Sequence, residues 1–490
     1  MSLRDRLRRS ERMEQEKRYV DTYKREHRVT KELSRGGQGV VMRTDEPDVA
    51  LKLELGSEKL TDAEQIRLRN RKYEKLRLLP IPPGLHITLP QAVLRDDVGY
   101  VMNLLEEMIP FQDAFDPENR CPAEELAENA WVRRTFAGEE MQAAAENYLR
   151  WYTTGGSRRR LRAWRKAAFL VARLHGNGLV YCDFSMNNLF VSDRTLDEDE
   201  NVWLIDADNL RFNGEPGGAY TPGHCAPEIV RDPEHPQFSF ASDSYAFAEL
   251  LYECLAMQHP FHGSLYEAED DWDDPIEERI DRGDVPWIMD RNDDTNRAEN
   301  QPLATELFLS EGLNELFDRC FSEEGRRKPG TRPTMAEWGE ELSRLLDCTV
   351  ACPACGMHFC AEHPEGTYLR CPWCDAAVDT IRVDCFAGAE RVWHWVHEKT
   401  GAPIRVPLRA AGGRMADDTD AFFVSEQPDG LLLELCGDLP DGELFLQQEN
   451  EKKSVQDRGR IRVRNEKATV LWVKRHSDAT QLRIEVCAEI

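Results

Sequence analysis

The chain has 490 residues, which at roughly 150 residues per domain indicates about three folding units rather than one core. Hydrophobic residues make up 41% and charged residues 31%, and this balance excludes a mainly disordered chain. The formal net charge of −27 disfavours bulk binding to nucleic acid or anionic lipid. No run approaches the roughly 18 apolar residues of a membrane helix, and the charged start of the chain lacks the apolar core of a signal peptide. We therefore expect a cytoplasmic protein.

In chain order, residues 1–28 are rich in Arg, Glu and Lys and contain no Gly or Pro, so they predict a charged, solvated helix. Short β-branched runs around glycines follow from residue 29 to about 106 and predict an antiparallel sheet, with one charged helix at about 61–79. Residues of about 110–160 are polar and helical in texture, as in an insertion. Residues 161–347 are strongly helical, and 379–490 carry strand-like segments separated by Asp, Gly, Pro and Asn, which predict an all-β module.

A glycine-rich turn and a lysine form the first candidate site. Gly36 and Gly39 lie between two predicted strands, where glycine lets backbone N–H groups approach phosphates closely. Lys52 follows in the apolar strand VALK, where an ammonium group needs an anion to offset its desolvation. Together they predict a site for nucleotide phosphates.

Three polar residues farther along the chain form the second candidate site. Asp183 lies in a loop between an amphipathic helix and a strand, Asn188 follows five residues later, and Asp206 ends the apolar strand VWLI. Each is also an ordinary turn residue. Carboxylate and amide oxygens on neighbouring loops are, however, the ligands that Mg²⁺ uses beside phosphates.

Taken in order, these segments resemble the eukaryotic-like protein kinases, whose Gly-rich loop, V-A-I-K, H-R-D-x-x-x-x-N, D-F-G and A-P-E signatures appear in the same order along the chain. The resemblance is reinforced by TPGHCAPE at 221–228, DSYAFAELLYECL from Asp243, HPF at 259–261 and RPTMAEW from Arg332. It implies that Glu228 pairs with Arg332 and that Asp243 anchors the catalytic loop. The fold class it implies is α+β, with a two-lobed protein kinase-like domain over 29–347.

The same resemblance assigns roles by matching position. Lys52 would hold the α and β phosphates of ATP, Asp183 would be the catalytic base, and Asn188 with Asp206 would hold Mg²⁺. The helix glutamate that pairs with Lys52 would be Glu74, with Glu64 as the alternative. Met102 would be the gatekeeper beside the adenine and Asn103 to Leu105 the hinge. The nucleotide-binding set is Gly36, Gly39, Val41, Ala50, Lys52, Glu74, Met102, Leu104, Asn188 and Asp206.

Several positions depart from the family pattern. Ser34 replaces the first loop glycine, Cys182 replaces the arginine before the catalytic aspartate, and Ser185 stands where a phosphate-contacting lysine is usual. The change at Cys182 removes the arginine that usually receives an activation-loop phosphate, so we expect that activity does not require loop phosphorylation. Ala207 and Asp208 replace Phe-Gly, and this D-x-D segment resembles that of a divergent bacterial kinase group, some of whose members are associated with von Willebrand A and PP2C-type phosphatase proteins. Asp208 is open to two interpretations, a further metal ligand or a loop hydrogen-bonding group.

Four cysteines form the third site. Cys352, Cys355, Cys371 and Cys374 have the CxxC-x15-CxxC spacing in which two knuckles meet one tetrahedral Zn²⁺, and they resemble a zinc ribbon. Cys348, Cys360, His358 and His363 are nearby alternatives as ligands.

The chain is thus divided into a charged helix (1–28), a kinase-like domain (N-lobe 29–106, insertion about 110–160, C-lobe 161–347), a zinc ribbon (348–378) and an all-β module (379–490). We expect ATP- and Mg²⁺-dependent transfer to Ser or Thr of an unknown protein, with the ribbon and β module binding partners. The alternatives are a pseudokinase scaffold, and a ligand reader built on the ribbon and β module with the kinase as a switch. An acidic run at 267–278 is either a solvated loop or a docking site for a basic substrate.

Overall fold

The structure is a computed structural model, and it describes most of the chain in ranges separated by short gaps. The described residues are 17–37, 39–57, 60–115, 142–193, 200–217, 223–268, 275–299, 301–361, 369–416, 419–436, 442–448, 451–455, 459–464, 469–476 and 480–489. They contain both helices and strands, and none of the described helices has the length and apolar character of a membrane span.

A six-stranded antiparallel sheet and one helix form the first lobe. The sheet order is β1-β2-β3-β4-β6-β5. Its elements are β1 (Arg18–Val20), β2 (Glu26–Arg35), β3 (Gly39–Thr44), β4 (Val49–Glu54), α1 (Ala63–Leu76), β5 (Ala92–Val93) and β6 (Gly99–Asn103). Asp62 caps α1 by accepting a hydrogen bond from the backbone N–H of Glu64.

The second lobe is mainly helical. Its elements are β7 (Met108–Pro110), α2 (Phe111–Phe115), α3 (Gln142–Thr153), α4 (Gly156–His175), β8 (Leu179–Val180), β9 (Leu189–Ser192), β10 (Val202–Leu204), β11 (Arg211–Phe212), α5 (Pro227–Arg231), α6 (Phe240–Ala256), α7 (Ser264–Glu267), α8 (Ile276–Asp281), α9 (Glu311–Phe321), α10 (Glu323–Arg327) and α11 (Met335–Asp347). Helix α6 is buried along nearly its whole length because most of its residues are apolar, and α4 and α9 pack against it.

The two lobes are joined near β10. The backbone N–H of Leu204 donates to the carbonyl of His86 at 3.0 Å, and the Leu204 carbonyl accepts from Thr88 at 2.9 Å. Since Asp206 follows β10 by two residues, this junction brings its carboxylate towards the first sheet.

The remaining strands form two small hairpins and a two-sheet module. The hairpins are β12 (Thr349–Ala351) with β13 (His358–Cys360) and β14 (Leu369–Arg370) with β15 (Ala377–Val378). The module contains β16 (Thr380–Ala387), β17 (Glu390–Glu398), β18 (Ile404–Pro407), β19 (Asp420–Gln427), β20 (Gly430–Leu435), β21 (Gly442–Gln448), β22 (Glu451–Ser454), β23 (Arg460–Arg464), β24 (Thr469–Arg475) and β25 (Gln481–Glu489). Its sheets have the orders β17-β16-β25-β24-β21-β22 and β18-β19-β20-β23, and they enclose one apolar core.

The expected charged helix at the start of the chain needs correction. Residues 1–16 lie outside the described residues, but from Arg18 the chain forms the β1–β2 hairpin. The physical reason is the turn: the Asp21 carboxylate accepts hydrogen bonds from the backbone N–H groups of Tyr23 and Arg25 at 2.8 and 2.9 Å. Tyr19 and His27, which are paired across the hairpin, are buried.

Two other expectations fall partly on undescribed residues. Of the expected insertion, residues 116–141 lie outside the described part, and the flanking residues form α2, α3 and the start of α4. Of the acidic run at 267–278, residues 269–274 lie outside it.

Candidate active site and metal centre

Strand register places Lys52 in the middle of the first sheet. Lys52 in β4 lies opposite Val41 in β3 and opposite Tyr100 in β6. Its side chain is buried, with 6% of the residue exposed. A Cβ at Gly39 would lie 2.8 Å from the Leu53 carbonyl oxygen and 3.1 Å from Cε of Lys52, so only glycine fits there.

Two carboxylates hold the Lys52 ammonium. Lys52 Nζ donates to Asp206 Oδ1 and lies 2.8 Å from Asp208 Oδ2. Burial by itself would lower the pKa of Lys52, but the charges of Asp208 and Asp206 outweigh it and raise the pKa. The lysine is therefore held in its charged form, which is the form that binds phosphate.

Asp208 lies in a single turn of 3₁₀ helix, Ala207–Asn209, which follows directly after Asp206. Asp206 has a φ of 53°, a left-handed conformation that is uncommon for a non-glycine residue and occurs at functional sites. This bend turns Asp208 back towards the sheet, where the Tyr100 hydroxyl donates to its Oδ1 at 2.9 Å. Burial raises the pKa of the Asp208 carboxyl, an effect that the Lys52 ammonium opposes.

The expectation that a helix glutamate pairs with Lys52 is wrong in this structure. The buried face of α1 carries Ile66, Asn70 and Tyr73, whereas Glu74 and Glu64 are exposed. Neither glutamate is a partner of Lys52, whose ion pairs are with Asp206 and Asp208. Asn70 uses its amide to hold the β6 edge, accepting from the backbone N–H of Gly99 at 3.0 Å.

The loop between β8 and β9 positions Asp183. The Asn188 side-chain amide donates to the Asp183 carbonyl at 3.0 Å, and the Asn209 amide donates to Asp183 Oδ2 at 3.2 Å. The backbone N–H of Ile205 donates to the Asn188 carbonyl at 2.9 Å. Asp183, Asn188 and Asp206 therefore lie on two loops that are hydrogen-bonded to each other.

A buried aspartate on α6 supports this loop. Asp243 accepts from the backbone N–H groups of Tyr181 and Cys182 at 2.7 and 2.9 Å, and His175 Nε2 lies 2.9 Å from its Oδ2. Cys182 has a φ of 73°, so these bonds stabilise a strained backbone. The expected anchoring by Asp243 is confirmed. The expected brace is also present, since Arg332 donates two 2.8 Å hydrogen bonds to the Glu228 carboxylate.

The donor atoms beside this loop fit a hard cation. Asp206 Oδ2 accepts no hydrogen bond from a described residue, and neither does Asn188 Oδ1. One carboxylate oxygen and one amide oxygen on adjoining loops are thus available, and Mg²⁺ is bound by one or two such groups together with phosphates and water.

The remaining predicted nucleotide-binding residues lie along the first sheet. Ala50 is fully buried and lies opposite the half-buried Met102. The backbone N–H of Leu104 donates to the backbone carbonyl of Asp48 at 2.9 Å. The backbone N–H of Gly36 donates to the carbonyl of Gly39 across the turn at 3.0 Å. A Cβ added at Gly36 would have no atom within 4 Å. The nucleotide-binding role of these residues stays a prediction.

The four predicted cysteines come together. The sulfurs of Cys352, Cys355, Cys371 and Cys374 all lie within 4.8 Å of one another. The Cys352–Cys374 and Cys355–Cys371 pairs are 3.6 and 3.7 Å apart. A tetrahedral zinc with Zn–S bonds of about 2.3 Å has S···S edges of about 3.8 Å, so this donor set fits Zn²⁺.

Both cysteine knuckles have the same backbone form. The N–H of Gly356 donates to the Cys352 carbonyl at 2.8 Å, and the N–H of Asp375 donates to the Cys371 carbonyl at 3.0 Å. Gly356 and Asp375 both have positive φ, 75° and 57°. Among the described residues, this is the only cluster of three or more His, Cys, Asp or Glu side chains close enough together to hold a metal ion. Cys348, Cys360 and His358 are therefore not part of such a cluster. His363 lies outside the described residues.

Sequence reasoning missed two residues of the site. Tyr100 was not singled out, although a tyrosine in the apolar strand GYVMN needs a buried partner for its hydroxyl. Asn209, which orients Asp183, follows the D-A-D segment directly, and only its position beside Asp206 gave a signal.

Comparison with known proteins finds partial matches to protein kinases. The chain is 34% identical to rat protein kinase C delta type over 128 residues, 25% of this chain and 17% of that protein. It is 33% identical to the human protein over 150 residues, 29% and 19% of the two chains. It is 34% identical to serine/threonine-protein kinase RUNKEL of Arabidopsis thaliana over 94 residues, 18% of this chain and 6% of that one.

The chain spans less than a fifth of the length of these curated relatives. No protein-family profile matches it. The chain therefore has partial similarity to serine/threonine protein kinases, over about a quarter of its length.

Proposed function

We propose that the protein is a two-lobed protein kinase that transfers the γ-phosphate of ATP to Ser or Thr of a protein substrate. The observation that supports this best is the meeting of Lys52, Asp183, Asn188 and Asp206, which come from separate segments. Lys52 contacts Asp206, and the loops of Asn188 and Asp206 are hydrogen-bonded. Those are the residue types that phosphoryl transfer requires around one cleft.

Each residue has a distinct task in this proposal. Lys52, charged and buried, binds the α and β phosphates of ATP. Asp206 and Asn188 offer the two available oxygens to Mg²⁺, which when bound neutralises charge on the phosphates. Asn209 holds Asp183 by a 3.2 Å hydrogen bond, so that its carboxylate is fixed in direction.

Asp183 is the proton acceptor. A substrate hydroxyl oxygen forms a bond to the γ-phosphorus as the bond from that phosphorus to the bridging oxygen of ADP breaks. The hydroxyl proton passes to the Asp183 carboxylate, and the electron pair of the broken bond leaves with ADP. The products are a phosphorylated side chain and ADP.

We assign partner or substrate binding to the ribbon and the β module. The D-A-D segment resembles that of a divergent bacterial kinase group, some of whose members are associated with von Willebrand A and PP2C-type phosphatase proteins, so we propose proteins of these two types as the partners to test first.

The test is ³²P transfer from ATP to the protein itself and to a generic basic substrate, together with ATP-induced thermal shifts. Asp183→Asn should keep ATP binding and lower transfer by about 10² to 10⁴. Asp206→Asn should weaken the Mg²⁺-dependent part of nucleotide binding. Equal transfer by the wild type and Asp183→Asn would contradict the proposal, because the label would then come from another site or a contaminant.

A pseudokinase scaffold is the second candidate. Two observations favour it: Ser185 stands in place of the usual lysine, and the buried face of α1 presents no carboxylate to Lys52. In the same experiment the scaffold predicts ATP binding without transfer in the wild type.

A further inference from the structure

We infer that Asp208 is the positioning residue that holds Lys52 in place, in the role that a helix glutamate would otherwise have. This inference rests on the proposed function, since it concerns how the same site orients its lysine. It assigns the second aspartate of the D-A-D segment to Lys52 rather than to the metal.

The first step is the orientation of the two carboxylates. Both oxygens of Asp208 are used inside the protein, Oδ1 by the Tyr100 hydroxyl and Oδ2 by Lys52. Its side chain is 7% exposed, whereas that of Asp206 is 24% exposed. Asp206 also keeps an oxygen that accepts nothing from a described residue. Asp206 is therefore the more exposed of the two carboxylates, and Asp208 is the one buried against the sheet.

The second step is the need for a lasting counter-ion. A carboxylate that binds a cation shares its charge with that cation and holds a nearby ammonium less strongly. Lys52 is buried, and a buried ammonium without a carboxylate is costly. If Asp206 turns to Mg²⁺, Asp208 alone remains beside Lys52.

The third step is the support behind Asp208. Tyr100 lies in β6 directly opposite Lys52 in β4. The tyrosine that donates to Asp208 and the lysine that pairs with Asp208 are therefore cross-strand neighbours in the sheet. The Tyr100 ring also packs against that of Tyr73 on α1, with ring centroids 4.7 Å apart. Tyr73 donates to Glu54 at 3.3 Å, so α1 contributes aromatic packing and a hydroxyl to this cluster.

The consequence is that two parts of the chain position Lys52. One is the turn after β10 in the second lobe, which carries Asp208, and the other is strand β6, which carries Tyr100. In this arrangement the lysine does not depend on a charged residue of α1. Movement of the helix would then change the packing of Tyr73 without removing the counter-ion of Lys52.

The test uses Asp208→Asn, Asp206→Asn and Glu74→Gln in the full chain with zinc bound. The first readout is acylation of Lys52 by acetic anhydride at fixed pH, measured by mass spectrometry relative to the exposed Lys72, because only the neutral amine reacts. Asp208→Asn should lower the pKa of Lys52, because one of its two carboxylate partners is removed, and should raise its relative rate of acylation about tenfold. Glu74→Gln should leave that rate as in the wild type.

The second readout is ATP affinity with and without Mg²⁺. Asp208→Asn should weaken ATP binding about tenfold in both conditions, because it misplaces the lysine. Asp206→Asn should lose the Mg²⁺-dependent part. Asp96→Asn, at an exposed aspartate of the first lobe, is the matched control.

Two results would overturn the inference. One is a loss in Asp208→Asn that is confined to the Mg²⁺-dependent part of binding, since that is the behaviour of a metal ligand. The other is a higher rate of Lys52 acylation in Glu74→Gln together with an unchanged rate in Asp208→Asn. Should Asp208→Asn not fold, Tyr100→Phe removes the hydroxyl that holds Asp208 and should shift both readouts in the same direction by a smaller amount; no shift would also overturn the inference. A wild type that binds ATP without transfer rejects the kinase activity alone, because acylation and binding still decide the role of Asp208.

Discussion

At the scale of single residues, the site depends on two carboxylates, Asp208 and Asp243, that are buried and use both oxygens in contacts within the protein. Asp243 is 1% exposed and accepts from two consecutive backbone N–H groups, with His175 on the same carboxylate. Bonds of this kind, from N–H groups to an ionised carboxylate, are stronger than neutral ones. They hold Cys182 in its left-handed conformation, and so they set the direction in which Asp183 leaves the loop.

Asp243→Asn should therefore weaken both stability and catalysis. The amide keeps the shape of the side chain but loses the charge and one acceptor oxygen, at a cost of about 2 kcal/mol. We expect a thermal midpoint lower by about 5 °C and transfer to the substrate lower by at least about tenfold. Asp232→Asn, at an exposed aspartate, is the control. Unchanged transfer in Asp243→Asn would show that the loop keeps its geometry without this carboxylate.

At the scale of elements, helix phase decided which sequence predictions were correct. Ile66, Asn70 and Tyr73 follow one another at spacings of four and three, so they share the buried face of α1. Glu74 follows Tyr73 by one residue, and a rotation of about 100° takes it out of that face. Glu74, the predicted partner of Lys52, therefore lies outside the buried face of α1.

Motif order was a better guide than single positions. Lys52 was predicted because it is a charged residue within an apolar strand. Asp183, Asn188 and Asp206 were predicted because each lies in a short loop or directly after a strand, where polar side chains of neighbouring loops can meet. The part played by Tyr100 and Asp208 depends on a register pair and on a left-handed residue at Asp206. Neither feature has a local sequence signal, since both are set by tertiary contacts.

The zinc knuckles are elements with a direct test. Purified protein should contain about one Zn²⁺ per chain, held by the four cysteine thiolates. Cys371→Ser should lose the metal and make residues 348–378 sensitive to protease, because so small a segment has little core of its own. Cys360→Ser should retain zinc, since Cys360 lies outside the four-sulfur group. Zinc content by mass spectrometry and limited proteolysis measure both effects, and stoichiometric zinc in Cys371→Ser would refute the assignment.

At the scale of the whole molecule, ion pairs fasten the C-terminal segments to the helical lobe. Arg409 and the Trp393 indole both donate to Asp347 at the end of α11, at 2.8 and 2.9 Å. Trp373 of the second knuckle packs against Tyr148 on α3, with centroids 4.9 Å apart. The ribbon and the β module are thus held against the lobe that contains Asp183.

The pair between Arg158 on α4 and Glu398 at the end of β17 joins three parts at once. Arg158 donates two hydrogen bonds to the Glu398 carboxylate, at 2.7 and 2.5 Å, and also contacts the Thr349 carbonyl in β12 at 2.8 Å. Glu398 accepts from the backbone N–H of Ala351 at 3.0 Å. Burial would raise the pKa of Glu398, but Arg158 outweighs it and the pKa is lowered.

Glu398→Gln should therefore destabilise the protein in a pH-dependent way. The lowered pKa means that the unfolded chain binds a proton to Glu398 more readily than the folded one, so the stabilisation is complete above the unfolded value of 4.5 and is lost as pH falls below it. We expect a cost on the order of 3 kcal/mol near pH 7, because Arg158 is left without its carboxylate. The difference from the wild type should shrink on acidification to about pH 4. Glu340→Gln breaks an exposed pair with Arg344 and should cost less than about 0.5 kcal/mol at every pH. Thermal unfolding of the zinc-loaded proteins across this pH range measures the difference, and a constant difference between wild type and Glu398→Gln would mean that the carboxylate charge does not hold the segments together.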